Sequence, residues 1–371
     1  MDTKVRARVI AYYLPQYHPI PENDEVWGKG FTEWINVGRA KPLYKGHDQP
    51  RVPADLGYYD LRIPEIREQQ AELAREAGVE GFMYWHYWFG GGKMLLEKPF
   101  EEVLASGKPD FPFCFGWANH SWTTKSWHGA NGLSLRKATM IAEMKYLGEE
   151  DNVVHFNYCL PFFKDYRYIT VDGKPLFVIW APDLFEGLGE FTALWQELAK
   201  ENGFPGIHFV GIRRNRGMTN DALLNKGING IIPDGLTEAK TKAVGVVRRR
   251  LNTLFSWYLP GLKLNKYDYE TIVSNLLCGE ESVENIYPII LPGYDRTPRA
   301  GRAAVILSNP NPKAFQKHVA QAVAMVQNKQ EEHKLIFLKS WNEWGEGNYM
   351  EPDQTWGHGF LNALRECIIE D

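Results

Sequence analysis

The sequence predicts an α/β fold, a single (β/α)8 barrel with elaborated βα loops. Three observations lead to it. Short apolar, β-branched or aromatic runs alternate with longer amphipathic ones along the 371 residues. The alternation repeats eight times. Polar and aromatic residues gather just after the apolar runs, where a barrel of this kind carries its chemistry.

The elements follow in order. A strand over 9–14 leads to a helix over 64–77; Pro64 suits a first helical turn and Gly78 a C-terminal cap. Strands over 81–85 and 113–117 precede helices over 98–105 and 140–163. A strand over 176–180 leads to a helix over 190–202, closed by Gly203. Strands over 208–212 and 230–232 precede helices over 220–225 and 267–278. The last units are strand 287–291 with helix 312–327, and strand 335–338 with helix 359–369. Strict alternation argues for parallel strands with crossover helices, and eight units argue for closure. A doubly wound open sheet is the other arrangement with this pattern. It would need a glycine-rich phosphate turn after an early strand, and Gly90-Gly91-Gly92 has neither the GxGxxG spacing nor a GK[ST] ending. Residues 1–371 are expected to form one catalytic barrel domain.

Composition excludes several roles. The net charge is only -4 and has no block structure, so no nucleic-acid partner is expected. The densest basic run, Arg248-Arg249-Arg250, reads as a solvated or phosphate-facing helix patch. Cys114, Cys159, Cys278 and Cys367 are widely spaced and form no CxxC or Cys/His ligand pattern, so no metal is expected. Scattered cysteines and the lack of a signal-peptide apolar region lead to a cytoplasmic expectation. No run approaches the ~18 apolar residues of a membrane span. Aromatic residues make up 13% of the chain, and their excess lies in loops; carbohydrate sites use such residues, and so do ordinary cores and protein interfaces.

The segment Lys339-Ser340-Trp341-Asn342-Glu343-Trp344-Gly345-Glu346-Gly347 carries the strongest chemical signal. It follows the apolar strand 335–338, and Gly345 and Gly347 turn it into a loop. Glu343 and Glu346 therefore sit just past a strand end, among tryptophans. Paired carboxylates beside aromatic rings suit glycoside chemistry: one group moves a proton, the second assists at the sugar, and the rings take its apolar face. The expected substrate contacts are Tyr13, Gln16, His18, Glu33, Trp34, Trp85, His86, Asn119, Trp122, Trp180 and Asn342. Any one of these residues would serve equally well in packing. Convergence of the loops on one rim is what favours a site.

Three segments carry a resemblance. They are Gly30-Phe31-Thr32-Glu33-Trp34 with Asp55-Leu56-Gly57-Tyr58-Tyr59-Asp60, Gly116-Trp117-Ala118-Asn119, and Trp341–Gly347 with Glu351-Pro352. Together they resemble the WbsX-like proteins, often labelled glycosyltransferases of polysaccharide gene clusters. That group is similar to glycoside hydrolase family 99, the endo-α-mannosidases. The resemblance implies a (β/α)8 barrel without metal or other cofactor, retention of anomeric configuration, and catalysis by the glutamates of an E-W-x-E motif, here Glu343 and Glu346. It implies that Glu343 deprotonates the sugar's own 2-hydroxyl, which attacks C1 to give a 1,2-anhydro sugar. Glu346 would protonate the leaving oxygen and then activate water. Such a route needs a 2-hydroxyl trans to the leaving group, as in α-manno or α-rhamno sugars. Two positions depart from the family pattern: His120 follows Trp-Ala-Asn where Glu is usual, and His128 stands in Trp127-His128-Gly129 where Asp is common.

The expected activity is retaining hydrolysis of α-linked manno- or rhamno-configured sugars in a bacterial oligosaccharide or polysaccharide. The alternatives are a glycosyltransferase of polysaccharide synthesis and a non-catalytic carbohydrate-binding barrel. Neither a DxD motif nor a two-lobed nucleotide-binding arrangement favours the transferase.

Overall fold

The structure, a computed structural model, describes residues 4–124, 139–214, 217–258 and 264–370. Eight parallel strands form the barrel: β1 (Arg8–Tyr13), β2 (Val79–Trp88), β3 (Phe113–Trp117), β4 (Lys174–Ile179), β5 (His208–Arg213), β6 (Gly230–Pro233), β7 (Ile289–Ile290) and β8 (Leu335–Leu338). Their spatial order is β6-β5-β4-β3-β2-β1-β8-β7. The remaining seam is nearly closed by a parallel bridge between Ile231 and Ile286. There Ile231 N donates to Asn285 O at 2.9 Å, and Tyr287 N donates to Ile231 O at 2.8 Å. β7 is shorter than the expected 287–291 because Pro288 and Pro292, which lack N–H donors, flank it.

Alternation along the strands sorts side chains between the barrel interior and the helix layer. Tyr12, Trp85 and Trp180 meet inside, with ring centroids 5.1 and 5.5 Å apart in successive edge-on contacts. Gly116 leaves them room: a Cβ there would lie 2.6 Å from the Met83 methyl and 3.2 Å from the Trp85 ring. The neighbouring residues Tyr13, Tyr84 and His86 face outward. Tyr13 OH donates to Gln70 of helix Pro64–Glu76 at 2.6 Å, and Tyr84 packs on Phe100.

Most helices stand where the pattern placed them, among them Lys98–Ser106, Leu188–Glu201, Pro312–Val326 and Gly359–Ile368. Two differ. The helix expected over 140–163 begins only at Glu149, because Met140–Ala142 pairs with Trp122–Thr123 as an antiparallel ribbon. The helix expected over 267–278 shrinks to Tyr269–Val273. Asp268 caps it by accepting from Thr271 N, and the preceding Asn265–Asp268 forms a strand parallel to Val305–Ser308. This small sheet and helices Leu236–Val244 and Val246–Tyr258 elaborate the loops after β6 and β7. The sheet and the first of these helices pack through a separate apolar cluster that includes Leu236, Ala239, Tyr267, Tyr269, Ile272 and Leu307. Among the described residues no helix is long and apolar enough to cross a membrane.

Candidate active site

The loop after β8 supplies both glutamates. Asn342–Glu343 forms a two-residue strand that turns back through Trp344–Glu346 to pair with Asn348–Tyr349. The turn is pinned to β1 and the residues after it. Trp341 N donates to Tyr12 O at 2.7 Å, Leu14 N to Asn342 Oδ1 at 2.8 Å, and Tyr17 OH to Asn342 O at 2.5 Å. Ser340 Oγ accepts from the Glu343 amide at 2.9 Å. Gly347 closes the turn at φ 57°, where glycine is favoured. Gly345 permits a close approach: a Cβ there would lie 1.8 Å from Glu33 Oε2.

Glu343 and Glu346 keep 14% and 19% of their side-chain surface exposed, enough for a ligand to reach them. Arg299 ties them together. Its Nη2 lies 2.5 Å from Glu343 Oε1 and 2.6 Å from Glu33 Oε2, and its Nη1 lies 2.7 Å from Glu346 Oε1. Arg299 Nε also donates to Glu33 Oε2 at 2.8 Å, and the Glu33 side chain is fully buried. Arg296 Nε lies 3.0 Å from Glu346 Oε1. Both arginines follow β7, in and just before the turn Thr297–Ala300. Asp295 sets that turn against the glutamate loop. Its N donates to Glu346 O at 2.6 Å, its Oδ1 accepts from Thr297 N at 3.0 Å, and its Oδ2 pairs with His47 Nε2 at 2.7 Å and accepts from Gln49 Nε2 at 2.8 Å.

The two glutamates titrate apart. Burial pushes Glu343 up, and although Arg299 opposes this, Glu346 and Glu33 add repulsion, so its carboxyl reaches about 7. Burial also acts on Glu346, but Arg296, Arg299 and Lys339 outweigh it and hold the group below its ordinary value. As pH falls below about 7 the pair therefore takes up one proton, which in the free site resides on Glu343. Behind the pair, Glu351 is buried among donors: Trp344 Nε1 and Gln70 Nε2, each at 2.6 Å, and Tyr59 OH at 2.9 Å. Burial dominates there too and raises Glu351 to about 7.

The residues expected to contact substrate divide into groups. Glu33 joins Glu343 and Glu346 through Arg299. Trp85 and Trp180 share the barrel interior, with the Arg214 guanidinium 5.2 Å over the Trp180 ring. Trp122 is buried against Tyr87, whose hydroxyl lies in the field of Glu343. Trp34 supports the glutamate turn instead of offering an open face: it packs on Trp344 at 5.5 Å and donates from Nε1 to Tyr59 O at 2.7 Å. Asn119 and Asn342 are backbone latches. Asn119 Oδ1 accepts from Ala181 N and its Nδ2 donates to Ala181 O, while Asn342 holds Leu14 in the same way. Gln16 and His18 are buried, and their Oε1 and Nδ1 have no hydrogen-bond partner among the described residues.

Two further expectations are corrected. Tyr13 and His86 point into the outer layer because they alternate with the inward Tyr12 and Trp85. His86 stacks on Phe115 and Tyr158, and its Nε2 meets His155 Nε2 at 2.9 Å. With Cys159 these histidines form a buried group whose ligand atoms lie within 4.8 Å of one another. Burial lowers the His86 ring to about 3, so it stays neutral. Of the two departures from the family pattern, His120 is lowered by burial, and further by Arg214, to about 4. His128 lies outside the described residues.

With this geometry in hand, comparison gives the family. A model described as "Glycosyltransferase WbsX" matches residues 9–364. The chain belongs to the WbsX family. Relatives include the uncharacterized protein WxcX of two strains of Xanthomonas campestris pv. campestris, B100 and ATCC 33913, each 32% identical over 363 residues. The match covers 98% of this chain and 50% of each relative, so the chain spans about half the length of the curated relatives it matches. In fold, this WbsX member resembles the GH99 endo-α-mannosidase of Bacteroides thetaiotaomicron, with a TM-score of 0.57 at 17% identity, covering 97% of this chain and 95% of that one. A second solved structure, described as a glycoside hydrolase-like protein, gives a TM-score of 0.56 at 15% identity and covers 99% and 95% of the two chains.

Arg296, Arg299 and Lys339 act on the WbsX site yet were absent from the sequence-based set. Arg299 lies forty-four residues from Glu343, and no local pattern marks it. The only available signal was its position shortly after a barrel strand.

Proposed function

We propose that this protein cleaves α-linked manno- or rhamno-configured glycosidic bonds with retention, using Glu343 and Glu346 as its proton-transfer pair. The supporting observation is the pair itself: two partly exposed carboxylates tied by one arginine, in surroundings that push one up and the other down in titration. A pair of this kind provides one acid and one base for a glycosidic bond flanked by both.

The steps follow the family route. One carboxylate takes the 2-hydroxyl proton as that oxygen closes on C1 and the bond to the leaving oxygen breaks. The other carboxyl gives its proton to the leaving oxygen. Water then opens the 1,2-anhydro ring, and both protons return. The family roles put the acid on Glu346, whereas the resting proton sits on Glu343, so substrate entry has to move that proton within the pair. Arg299 lies against both carboxylates, which lowers the charge cost of such a shift. Trp85 and Trp180 supply aromatic surface in the barrel interior for the sugar.

The test is incubation with aryl α-mannosides and α-rhamnosides, with product configuration followed by NMR. Retained product, lost in Glu343→Gln and Glu346→Gln, supports the reading. The family's transferase label motivates a second arm with nucleotide sugars added. Turnover only in that arm would replace hydrolysis with transfer, and no turnover in either, with oligosaccharide binding intact, would leave a binding barrel.

A further inference from the structure

Helix Val246–Tyr258 is built inside out. Its sequence, Val-Val-Arg-Arg-Arg-Leu-Asn-Thr-Leu-Phe-Ser-Trp-Tyr, holds three arginines and no Asp or Glu. Val247, Leu251, Leu254 and Tyr258 follow the four-three-four spacing of one helix face. That face points to solvent: the four residues are 72%, 46%, 52% and 71% exposed. The opposite side is polar. Asn252 is buried, and Arg249 and Thr253 are half-buried. None of the helix's described side chains joins either apolar cluster of the core. An ordinary surface helix turns its apolar stripe inward and its charges outward.

The helical period places Arg250 on one flank of the stripe and Arg248 on the other, and both are exposed. A contiguous apolar stripe with polar edges marks a surface that is covered in use. Charge decides what covers it. A second copy of the same helix would set arginine against arginine, with no acid on the helix to pair them. A negatively charged surface would meet the flanking arginines favourably. Aliphatic and aromatic side chains on one face with basic edges are the composition of a helix that lies in the headgroup region of a bilayer. Basic flanks of this kind favour anionic lipid.

We infer that helix Val246–Tyr258 is a peripheral anchor that lies in the plane of an anionic lipid surface. Val247, Leu251, Leu254 and Tyr258 reach the acyl boundary, and Arg248 and Arg250 meet the headgroups. The helix packs against helix Leu236–Val244, strand Asn265–Asp268 and the turn Gly301–Ala303. That turn directly follows Thr297–Ala300, which carries Arg299. An anchor so placed keeps the candidate site within reach of ligands displayed at the surface. The anchor itself stands apart from the glycoside reading.

The test is flotation of the full chain with vesicles, so it can fail while the glycosidase reading stands, and the reverse. One set of vesicles is phosphatidylcholine alone; the other is equal parts phosphatidylcholine and phosphatidylglycerol. The chain should float with the mixed vesicles and far less with the neutral ones. Leu251→Ser combined with Leu254→Ser should weaken that binding at least about tenfold, because two apolar side chains leave the acyl boundary. Arg248→Gln and Arg250→Gln should each weaken it about fivefold, an effect that added salt removes, while Arg250→Lys should retain binding. All the substituted side chains face outward, so an unchanged Tm shows that each variant is folded. Three results would overturn the anchor. One is no flotation with mixed vesicles. Another is flotation unchanged in the folded Leu251→Ser, Leu254→Ser double variant, which would leave charge attraction alone. The third is a dimer in sedimentation that the double variant abolishes while vesicle binding is absent, which would give the face to a second copy.

Discussion

Arg299 Nη2 lies 2.5 Å from Glu343 Oε1 while the same nitrogen touches the buried Glu33 at 2.6 Å. One guanidinium thus links a reachable carboxylate to one sealed from water. Position and protonation at the candidate site become a single question.

The first prediction concerns stability. Arg299→Gln leaves Glu33, fully buried, without its counter-charge. Breaking a buried pair in this way costs about 3–5 kcal/mol. A urea melt should show the loss, and Glu33→Gln in the same chain should recover part of it. A loss under about 1 kcal/mol, of the size of an exposed pair, would mean that water or another donor already serves Glu33.

Activity against pH should be bell-shaped. The productive pair holds one proton, so rate is lost as pH rises through about 7, where Glu343 deprotonates. It is lost again below the ordinary carboxylate range, where Glu346 is protonated. This profile is the same whichever glutamate is the acid, because both tautomers carry one proton. A kcat/KM that rises steadily from pH 6 to 9 would exclude a singly protonated pair.

Leaving groups separate the roles. With the family assignment, Glu346→Gln should retain much of its first-step rate on an activated aryl glycoside that needs no protonation. Glu343→Gln should stay slow on every substrate, by about 10²–10⁴-fold. The opposite pattern moves the acid to Glu343, where the resting proton sits. A 2-deoxy or 2-fluoro sugar should not react; a covalent adduct on either glutamate would instead identify an ordinary carboxylate nucleophile.

Glu351 should make folding stability depend on pH. Its folded-state pKa, about 7, lies above the ordinary 4.5, so folding favours the protonated form. The contribution is complete below about pH 4.5 and is lost as pH rises through about 7, amounting to on the order of 3 kcal/mol. Glu351→Gln should flatten Tm between those values. A wild-type Tm that climbs steadily over the same interval would show that other groups outweigh it.

Chelation is the remaining test. If the family route holds, EDTA should leave turnover intact. Loss of activity restored by a divalent ion would redirect attention to metal-assisted chemistry.

Much of this protein is written in local pattern. Periodicity marked every barrel strand, because each is a short apolar run between turn residues, and the E-W-x-E segment stood out because charge at a buried strand's end is costly without a role. Other features depend on the partner. Whether Tyr12 or Tyr13 faces inward is decided by register, since a shift of one residue reverses the faces of a strand. His86 and Asn119 look like sugar contacts in the sequence, yet in the structure one is a core ring and the other a backbone latch. The sequence by itself determined the strand count, the strand order along the chain and the two glutamates. Only the tertiary structure decided that Arg299, forty-four residues from Glu343, would govern them. Coulombic coupling depends on distance in space and on burial, and neither is a property of sequence spacing.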